Sequence, residues 1–191
     1  MPQELRMFSQ SFPFSPVGSI STVREMIESH LPSLDRARYL AETYLEQAAW
    51  LFRSVFRDQL MEELLPMYYS NDHTKLSDET NGDHELALLL LIFAVGALVD
   101  LQQEPSNPEA EHYHQLARAA ICLQPVLEKP SLITIQAIHL LSIYNAMSGN
   151  EISAKETSME TTWSLLSLAA HLSQTVRNLS IHVISTERDL F

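Results

Sequence analysis

Glycine is scarce in this sequence of 191 residues. Only four glycines occur, at positions 18, 82, 96 and 149, whereas an average chain contains about 7% glycine, much of it in tight turns. Few β-hairpins are therefore possible. Hydrophobic residues make up 46% of the chain and charged residues 19%, which is typical of a globular protein and argues against disorder. The length suits one domain of ordinary size.

Cysteine is nearly absent. Cys122 is the single cysteine, and it lies inside an apolar run with helical spacing, so neither an internal disulfide nor a cluster of thiolate metal ligands can form. The first sixteen residues contain no apolar stretch of the length that a secretory signal requires. We therefore expect a reducing, intracellular compartment, in which the sequon at Asn178 is unused.

Basic residues are also few. Twelve Lys and Arg residues stand against 24 Asp and Glu residues, which gives a formal net charge of −12. The basic residues are scattered, and the only near pairs are Arg36 with Arg38 and Arg53 with Arg57. A strongly acidic chain with no basic stripe is repelled by a phosphate backbone, so we expect no direct binding to DNA.

No apolar run is long enough to cross a membrane. The longest extends from Leu86 to Val99 between Glu85 and Asp100, and a bilayer requires about 20 residues. This run therefore predicts a buried core helix, and we expect no membrane association.

Hydrophobic spacing predicts helices along most of the chain. Residues 1–33 form a partly ordered lead-in in which only positions 21–30 indicate a short helix. Ser33 is a predicted N-cap, and apolar residues recur at intervals of three and four as far as Val55, which predicts one helix of about five turns. A second helical stretch, 57–69, is expected to close at Pro66.

The next segments follow the same pattern. Residues 70–83 read as an exposed polar loop, after which Asp83 is expected to cap a central helix running to position 101. Asn107 and Pro108 predict another helix start. The pattern of residues 131–147 predicts another apolar helix, which ends at Gly149 and carries one polar stripe. That stripe consists of Thr134, Gln136, His139, Ser142 and Asn145.

The last predicted helix carries two adjoining apolar rows, so we expect it to have neighbours on both sides. One row is Met159, Trp163, Leu166 and Ala170, and the other is Leu165, Ala169, Leu172 and Val176. Thr157 and Glu160 form a capping-box pattern at its start. The predicted fold is all-α, with irregular stacked antiparallel helices like those of a bundle or solenoid.

Motifs that carry catalytic chemistry are missing. His84-Glu85 opens like a zinc-protease helix, but Leu88 stands where the second histidine would be. His112 and His114 are two residues apart and so lie on different sides of a helix. His139 and His171 lie within apolar helices, where hydrogen-bonded core histidines are expected. Cys122 reads as a small buried hydrophobe. We expect no catalytic, cofactor-binding or metal-binding residue.

The order of several segments resembles the fungal-specific transcription factor domain. The opening of that domain is similar to HLPS, YLEQAAWLF, RDQL and ELLP at 30–33, 44–52, 57–60 and 63–66. Its buried helices are similar to FAVGAL, ARAA, SLITIQAIHLL and WSLL through AHL at 93–98, 117–120, 131–141 and 163–172. The resemblance covers roughly residues 25–176 and depends on the order of the motifs.

This resemblance implies the regulatory region of a fungal zinc-cluster transcription factor, acting in the nucleus through protein partners, with a homodimer among the options. The family's six-cysteine, two-zinc DNA-binding cluster has no counterpart here. We divide the chain into the lead-in 1–33, a helical regulatory fragment 34–176 and a divergent tail 177–191, and expect an incomplete, truncated domain.

Two other interpretations remain open. An unrelated helical scaffold that binds a partner helix would show a regular helix-pair repeat. An all-helical enzyme would need polar groups in one pocket, for which His139, Gln136 and His171 are the candidates.

Overall fold

The computed structural model describes residues 2–16, 18–51, 53–69, 82–104, 107–128, 130–148 and 155–188, with the backbone alone at 155–158 and 178–188. Regular structure in these ranges is helical and contains no strand, which confirms the all-α fold. In chain order the helices are α1 (Gln3–Ser11), α2 (Ile20–Glu28), α3 (Leu34–Gln47), a π-helix (Gln59–Leu64), α4 (Leu65–Tyr69), α5 (Asp83–Leu98), α6 (Pro108–Ile121), α7 (Leu132–Ser148) and α8 (Lys155–Arg188).

Helix α5 is the centre of the fold. Its residues from 86 to 95 are all 0% exposed, because α3, α6 and α7 pack around it. A helix that is apolar on every side must be buried on every side, and this confirms the prediction of a central helix. The Phe93 ring meets the Tyr113 ring of α6 edge to face at 5.7 Å between centroids.

Gly96 allows α3 to approach α5 closely. A Cβ atom built at this glycine would collide with the backbone carbonyl oxygen of Leu40 and lie 3.1 Å from the carbonyl carbon. On the same side of α3, Ala37, Ala41 and Tyr44 are 0% exposed. A residue without a side chain is thus required where the two helices cross.

The remaining helices lie outside this centre. Helix α1 packs on α6, α2 contacts both α1 and α6, and α8 packs along α7. The helices therefore follow one another in space in the order α1, α6, α5, α7, α8. Consecutive helices that pack along each other after a short connection run antiparallel, as do α5 with α6 and α7 with α8. The irregular antiparallel stack agrees with the prediction.

The lead-in contains one more helix than predicted. Only residues 21–30 were expected to be helical, and α2 is found at Ile20–Glu28, but α1 precedes it. Leu5 of α1 is 0% exposed and Phe8 is 1% exposed, and both belong to the main core. Two apolar side chains one turn apart are too few to reveal a helical period in the sequence. Contact with α6 therefore stabilises this helix.

Helix α3 is shorter than predicted. It ends at Gln47 and does not continue to Val55. Its start is as expected, since Ser33 Oγ accepts a hydrogen bond from the Arg36 backbone N–H at 3.5 Å. After Gln47 the chain turns and brings Ser54 to α7, where the Ser54 carbonyl accepts a hydrogen bond from Gln136. A buried tertiary hydrogen bond is thus formed in the segment where the last turns of α3 were predicted.

Pro66 does not close its helix. The Leu65 N–H donates to the carbonyl of Leu60, five residues earlier, and the helix then continues to Tyr69. Proline lacks an N–H and its ring clashes with the carbonyl four residues back in an ordinary α-helix. A widened π-turn just before the proline removes that conflict.

The other predicted boundaries hold in part. Asn107 Oδ1 accepts from the Glu109 N–H at 2.9 Å and Pro108 opens α6, as expected. Gly82, with φ of 133°, is the N-cap of α5, whereas the predicted cap Asp83 is the first residue of the helix. Helix α5 ends at Leu98, three residues before its predicted end. Residues 70–81 of the predicted exposed loop 70–83 lie outside the described residues, as does Gly149, whereas Gly82 and Asp83 at the end of that segment are buried.

Helix α8 is longer than predicted. It begins at Lys155, two residues before Thr157, and continues to Arg188 through most of the segment 177–191. The Thr157 side chain of the predicted capping box lies outside the described atoms. The division into lead-in, regulatory fragment and tail remains a prediction.

Candidate interaction surface

The polar stripe of α7 is used inside the protein. Thr134 is 0% exposed, and its Oγ1 lies 2.7 Å from Nδ1 of His84 on α5. Gln136 Nε2 donates to the carbonyl of Ser54 at 2.7 Å and to Gln59 Oε1 at 3.0 Å. Each polar side chain is matched to a partner, as burial requires. The stripe therefore fixes α7 against its neighbours.

Ser54 and His139 form the arrangement most like a catalytic pair. Ser54 Oγ lies 2.7 Å from His139 Nδ1, within the range of a nucleophile and its base. The serine is only 7% exposed, so little of its surface is open to a substrate. Burial lowers the pKa of His139. His139 is a hydrogen-bonded histidine at the edge of the core, as predicted.

The pocket that would indicate an enzyme is not formed. His139 and Gln136 are directed toward Ser54, whereas His171 is exposed on α8. The expectation that His171 is a core histidine is wrong, because its side of α8 does not face α7.

The two histidines of α6 point in different directions, as their spacing predicts. The His112 ring lies 5.4 Å from the His30 ring, and burial and the charge of His30 lower the pKa of His112. His114 stacks on Tyr144 at 4.2 Å between centroids. Its Nδ1 lies 3.5 Å from Glu111 Oε2, and this contact, together with hydrogen bonds from Gln115 and Tyr144, lowers the pKa of the Glu111 carboxyl to about 2. The described residues contain no group of three or more ligands suited to a metal ion.

Cys122 is 1% exposed, and burial raises the pKa of its thiol to about 12. A thiol that stays protonated is a poor nucleophile and a poor metal ligand. The prediction of a buried cysteine is confirmed.

In each of the two pairs of arginines that are close in sequence, one guanidinium group forms an ion pair with a glutamate. Arg36 on α3 makes a bidentate ion pair with Glu109 on α6, with N to O distances of 3.1 and 2.5 Å. Arg57 makes a similar pair with Glu42, at 2.8 and 2.6 Å. These guanidinium groups are engaged within the fold, which further weakens any attraction for a phosphate backbone.

The clearest surface feature is an exposed apolar row along α8. Trp163 is 63% exposed and Met159 is 50% exposed; Leu166 is half-buried and Ala170 is exposed. The adjoining row, Leu165, Ala169 and Leu172, is buried against α7. Both rows were predicted to have neighbours, but the structure covers only one. The prediction of this apolar row is confirmed, and the prediction that a neighbour covers it is wrong.

A second group of exposed apolar residues lies in the connection after α3. Trp50 is 67% exposed, Leu51 58% and Phe56 70%. Trp50 Nε1 donates to the carbonyl of Gln47 at 3.0 Å, so its indole folds back on the end of α3. This group arises because α3 ends early, so Leu51, which the periodicity placed on the apolar face of a longer helix, is exposed instead.

Two serine hydroxyls on the α8 surface bond to their own helix. Ser164 Oγ donates to the carbonyl of Glu160, and Ser167 Oγ to that of Trp163, both at 2.8 Å. A hydroxyl that bonds to its own helix loses little when water is removed. Neither of these two hydroxyls therefore requires a partner outside α8.

The sequence profile of the fungal specific transcription factor domain matches residues 27–191. The chain belongs to this family. The family is a transcription factor domain and not an enzyme family. The matched range extends fifteen residues beyond position 176, where the resemblance in the sequence ended. No curated protein and no solved structure matches the chain.

None of the described helices combines the length and apolarity needed to span a bilayer.

Proposed function

We propose that this chain is a non-enzymatic regulatory region of a fungal transcription factor, which acts in the nucleus through contacts with protein. Membership of the fungal-specific transcription factor domain family supports this role most strongly. The net charge of −12 supports a role without direct DNA contact. Zinc-cluster DNA binding belongs to another part of the factor in this proposal.

The packing of the helices supports a role in which binding of a protein partner at the surface affects the core. The central helix α5 touches α3, α6 and α7, while α8 contacts chiefly α7 and presents its other side to solvent. A partner bound to α8 would be connected to the core through α7, whose polar side chains hold the segment around Ser54. Protein binding requires an accessible apolar surface more than a pocket of converging polar groups.

A reporter assay tests this function. The chain is fused to an unrelated DNA-binding domain in a fungal cell, and transcription from a promoter with matching sites is measured. We expect transcription to differ from that given by the DNA-binding domain alone. Leu89 is 0% exposed at the centre of α5, so Leu89→Asp should unfold the region and remove the difference. Equal transcription with and without the chain contradicts the proposal.

DNA binding is tested separately by passing the isolated chain over immobilised DNA at low salt. We expect no retention that falls as salt is raised, because the chain presents no basic surface. Salt-dependent retention would contradict the assignment of DNA contact to another part of the factor.

A further inference from the structure

Helix α1 is held to the rest of the protein by few contacts. Three of its nine residues, Leu5, Phe8 and Ser9, are buried, and α1 packs chiefly on α6. Ser9 Oγ donates to Gln115 Oε1 of α6 at 2.5 Å, and among the described residues this is the one side-chain hydrogen bond between α1 and another helix. The ion pairs of the described part of the chain do not include α1. A helix this short is not stable alone, so α1 depends on its contact with α6.

The connection that follows α1 allows the helix to leave α6 while it remains attached. Helix α1 ends at Ser11 and α2 begins at Ile20, so eight residues join them. The described residues of this connection are exposed or half-buried, and none is buried. Eight extended residues reach about 27 Å. Helix α1 and the connection precede the matched range 27–191, whereas α6 lies inside it. The surface of α6 beneath α1 therefore belongs to the family domain, and its cover comes from a segment outside the matched range.

The buried side of α1 has the pattern of a helix that binds in a groove. Leu5 and Phe8 are one turn apart and are 0% and 1% exposed, while Arg6 and Met7 between them are exposed. Apolar anchors at this spacing are typical of amphipathic helices that another protein recognises. In α6, residues 116, 117 and 119–121 are 0% exposed. Departure of α1 would uncover apolar surface, so another helix of the same pattern is needed to cover it.

Hydrogen bonds connect this contact to α7. Gln115 Nε2 donates to Glu111 Oε1 at 2.5 Å, and Tyr144 of α7 donates to Glu111 Oε2 at 3.2 Å. Ser9 is thus the first member of a chain of hydrogen bonds that runs from α1 through α6 to α7. When Ser9 leaves, Gln115 loses a donor, and the hydrogen bonding between α6 and α7 changes with it.

We propose that the surface of α6 beneath α1 is a binding site for an amphipathic helix, which α1 occupies in this structure and a helix of a protein partner occupies when α1 is displaced. The partner helix carries a leucine and an aromatic residue three positions apart, followed directly by a residue with a hydroxyl group. This inference rests on the proposed function, because the partner is one through which the regulatory region acts.

A synthetic peptide of residues 2–12 is the probe, and the complete chain with Phe8→Asp is its receptor. A carboxylate at position 8 should release α1, because it cannot be buried without a partner. The connection holds α1 near its site at about 1 mM, so a helix docked for about nine-tenths of the time has a dissociation constant of about 0.1 mM. Fluorescence anisotropy of labelled peptide should give a Kd of about 0.1 mM or less for the Phe8→Asp chain, and at least about 10-fold weaker binding for the unmodified chain.

The chain supplies a matched control in Met7→Asp. Met7 is next to Phe8 but is 43% exposed, so a carboxylate there should leave α1 docked and the peptide excluded. A peptide with Phe8→Asp should not bind. A peptide with Ser9→Ala should bind about 2- to 10-fold more weakly, because it lacks the hydrogen bond to Gln115.

Hydrogen exchange measures the release of α1 in the unmodified chain. The backbone amides of α1 should exchange at least about 100-fold faster than those of α5, because α1 opens without unfolding of the core.

Three results overturn the proposal. The first is a folded Phe8→Asp chain that binds no peptide up to about 1 mM. The second is a Phe8→Asp chain that unfolds completely, which would make α1 a fixed part of the core. The third is exchange of the α1 amides as slow as that of the α5 amides. The reporter assay separates this failure from that of the proposed function: peptide binding without altered transcription refutes only the regulatory function, and altered transcription without peptide binding refutes only the helix-binding site.

Discussion

Replacing Gly96 with alanine should destabilise the protein, although alanine is the better helix former. In the interior of a helix this replacement normally gains about 1 kcal/mol of stability. At position 96, however, the new methyl group meets the backbone of Leu40, with its carbonyl carbon at 3.1 Å and its Cα at 3.4 Å. A flexible side chain could move aside, but the backbone of α3 cannot move without separating the helices.

The expected size follows from these two opposing effects. Inserting a methyl group into a well-packed core typically costs about 1–3 kcal/mol, and a rigid backbone places this case at or above the upper end. After the gain in helix propensity, a net loss of about 2 kcal/mol remains. For a protein of this size, that loss lowers the Tm by roughly 4–8 °C.

Urea and thermal unfolding followed by circular dichroism provide the measurement. Gly96→Ser, with a larger side chain and lower helix propensity than alanine, should lose more stability. The sign decides the outcome: a Gly96→Ala variant more stable than the unmodified chain would show that α3 and α5 do not cross at this glycine.

Three further predictions concern other parts of the fold. Gly82 has φ of 133°, a conformation that L-residues rarely adopt, so Gly82→Ala should lower the free energy of unfolding by about 1–2 kcal/mol in urea titrations. Burial lowers the pKa of His84, so the unfolded chain binds its proton more readily; stability should fall as the pH drops below about 6.5, and His84→Gln should reduce that slope in unfolding measured at several pH values. Cys122 should resist thiol reagents in the native protein and react fully in denaturant, and rapid labelling without denaturant would contradict its burial.

Much of the helical core could be predicted because its signals are local. The apolar run ending near Val99 gave the central helix, and Asn107 with Pro108 gave the start of α6. A cap or a long apolar run acts over one or two turns, so neighbouring residues suffice to identify it.

The errors arose where distant residues decide the structure. Helix α1 depends on α6, the early end of α3 accompanies the hydrogen bond between Ser54 and Gln136, and the π-turn before Pro66 removes a backbone clash. None of these contacts is visible in a window of the sequence. The partners of the α7 stripe were unpredictable for the same reason, although the stripe itself was evident.

The α8 surface combines both cases. Periodicity gave two apolar rows, and local sequence cannot say whether one neighbour or two will cover them. The structure assigns one row to α7 and leaves Trp163 exposed. Exposure alone does not identify an interaction site, since Trp50 is equally exposed.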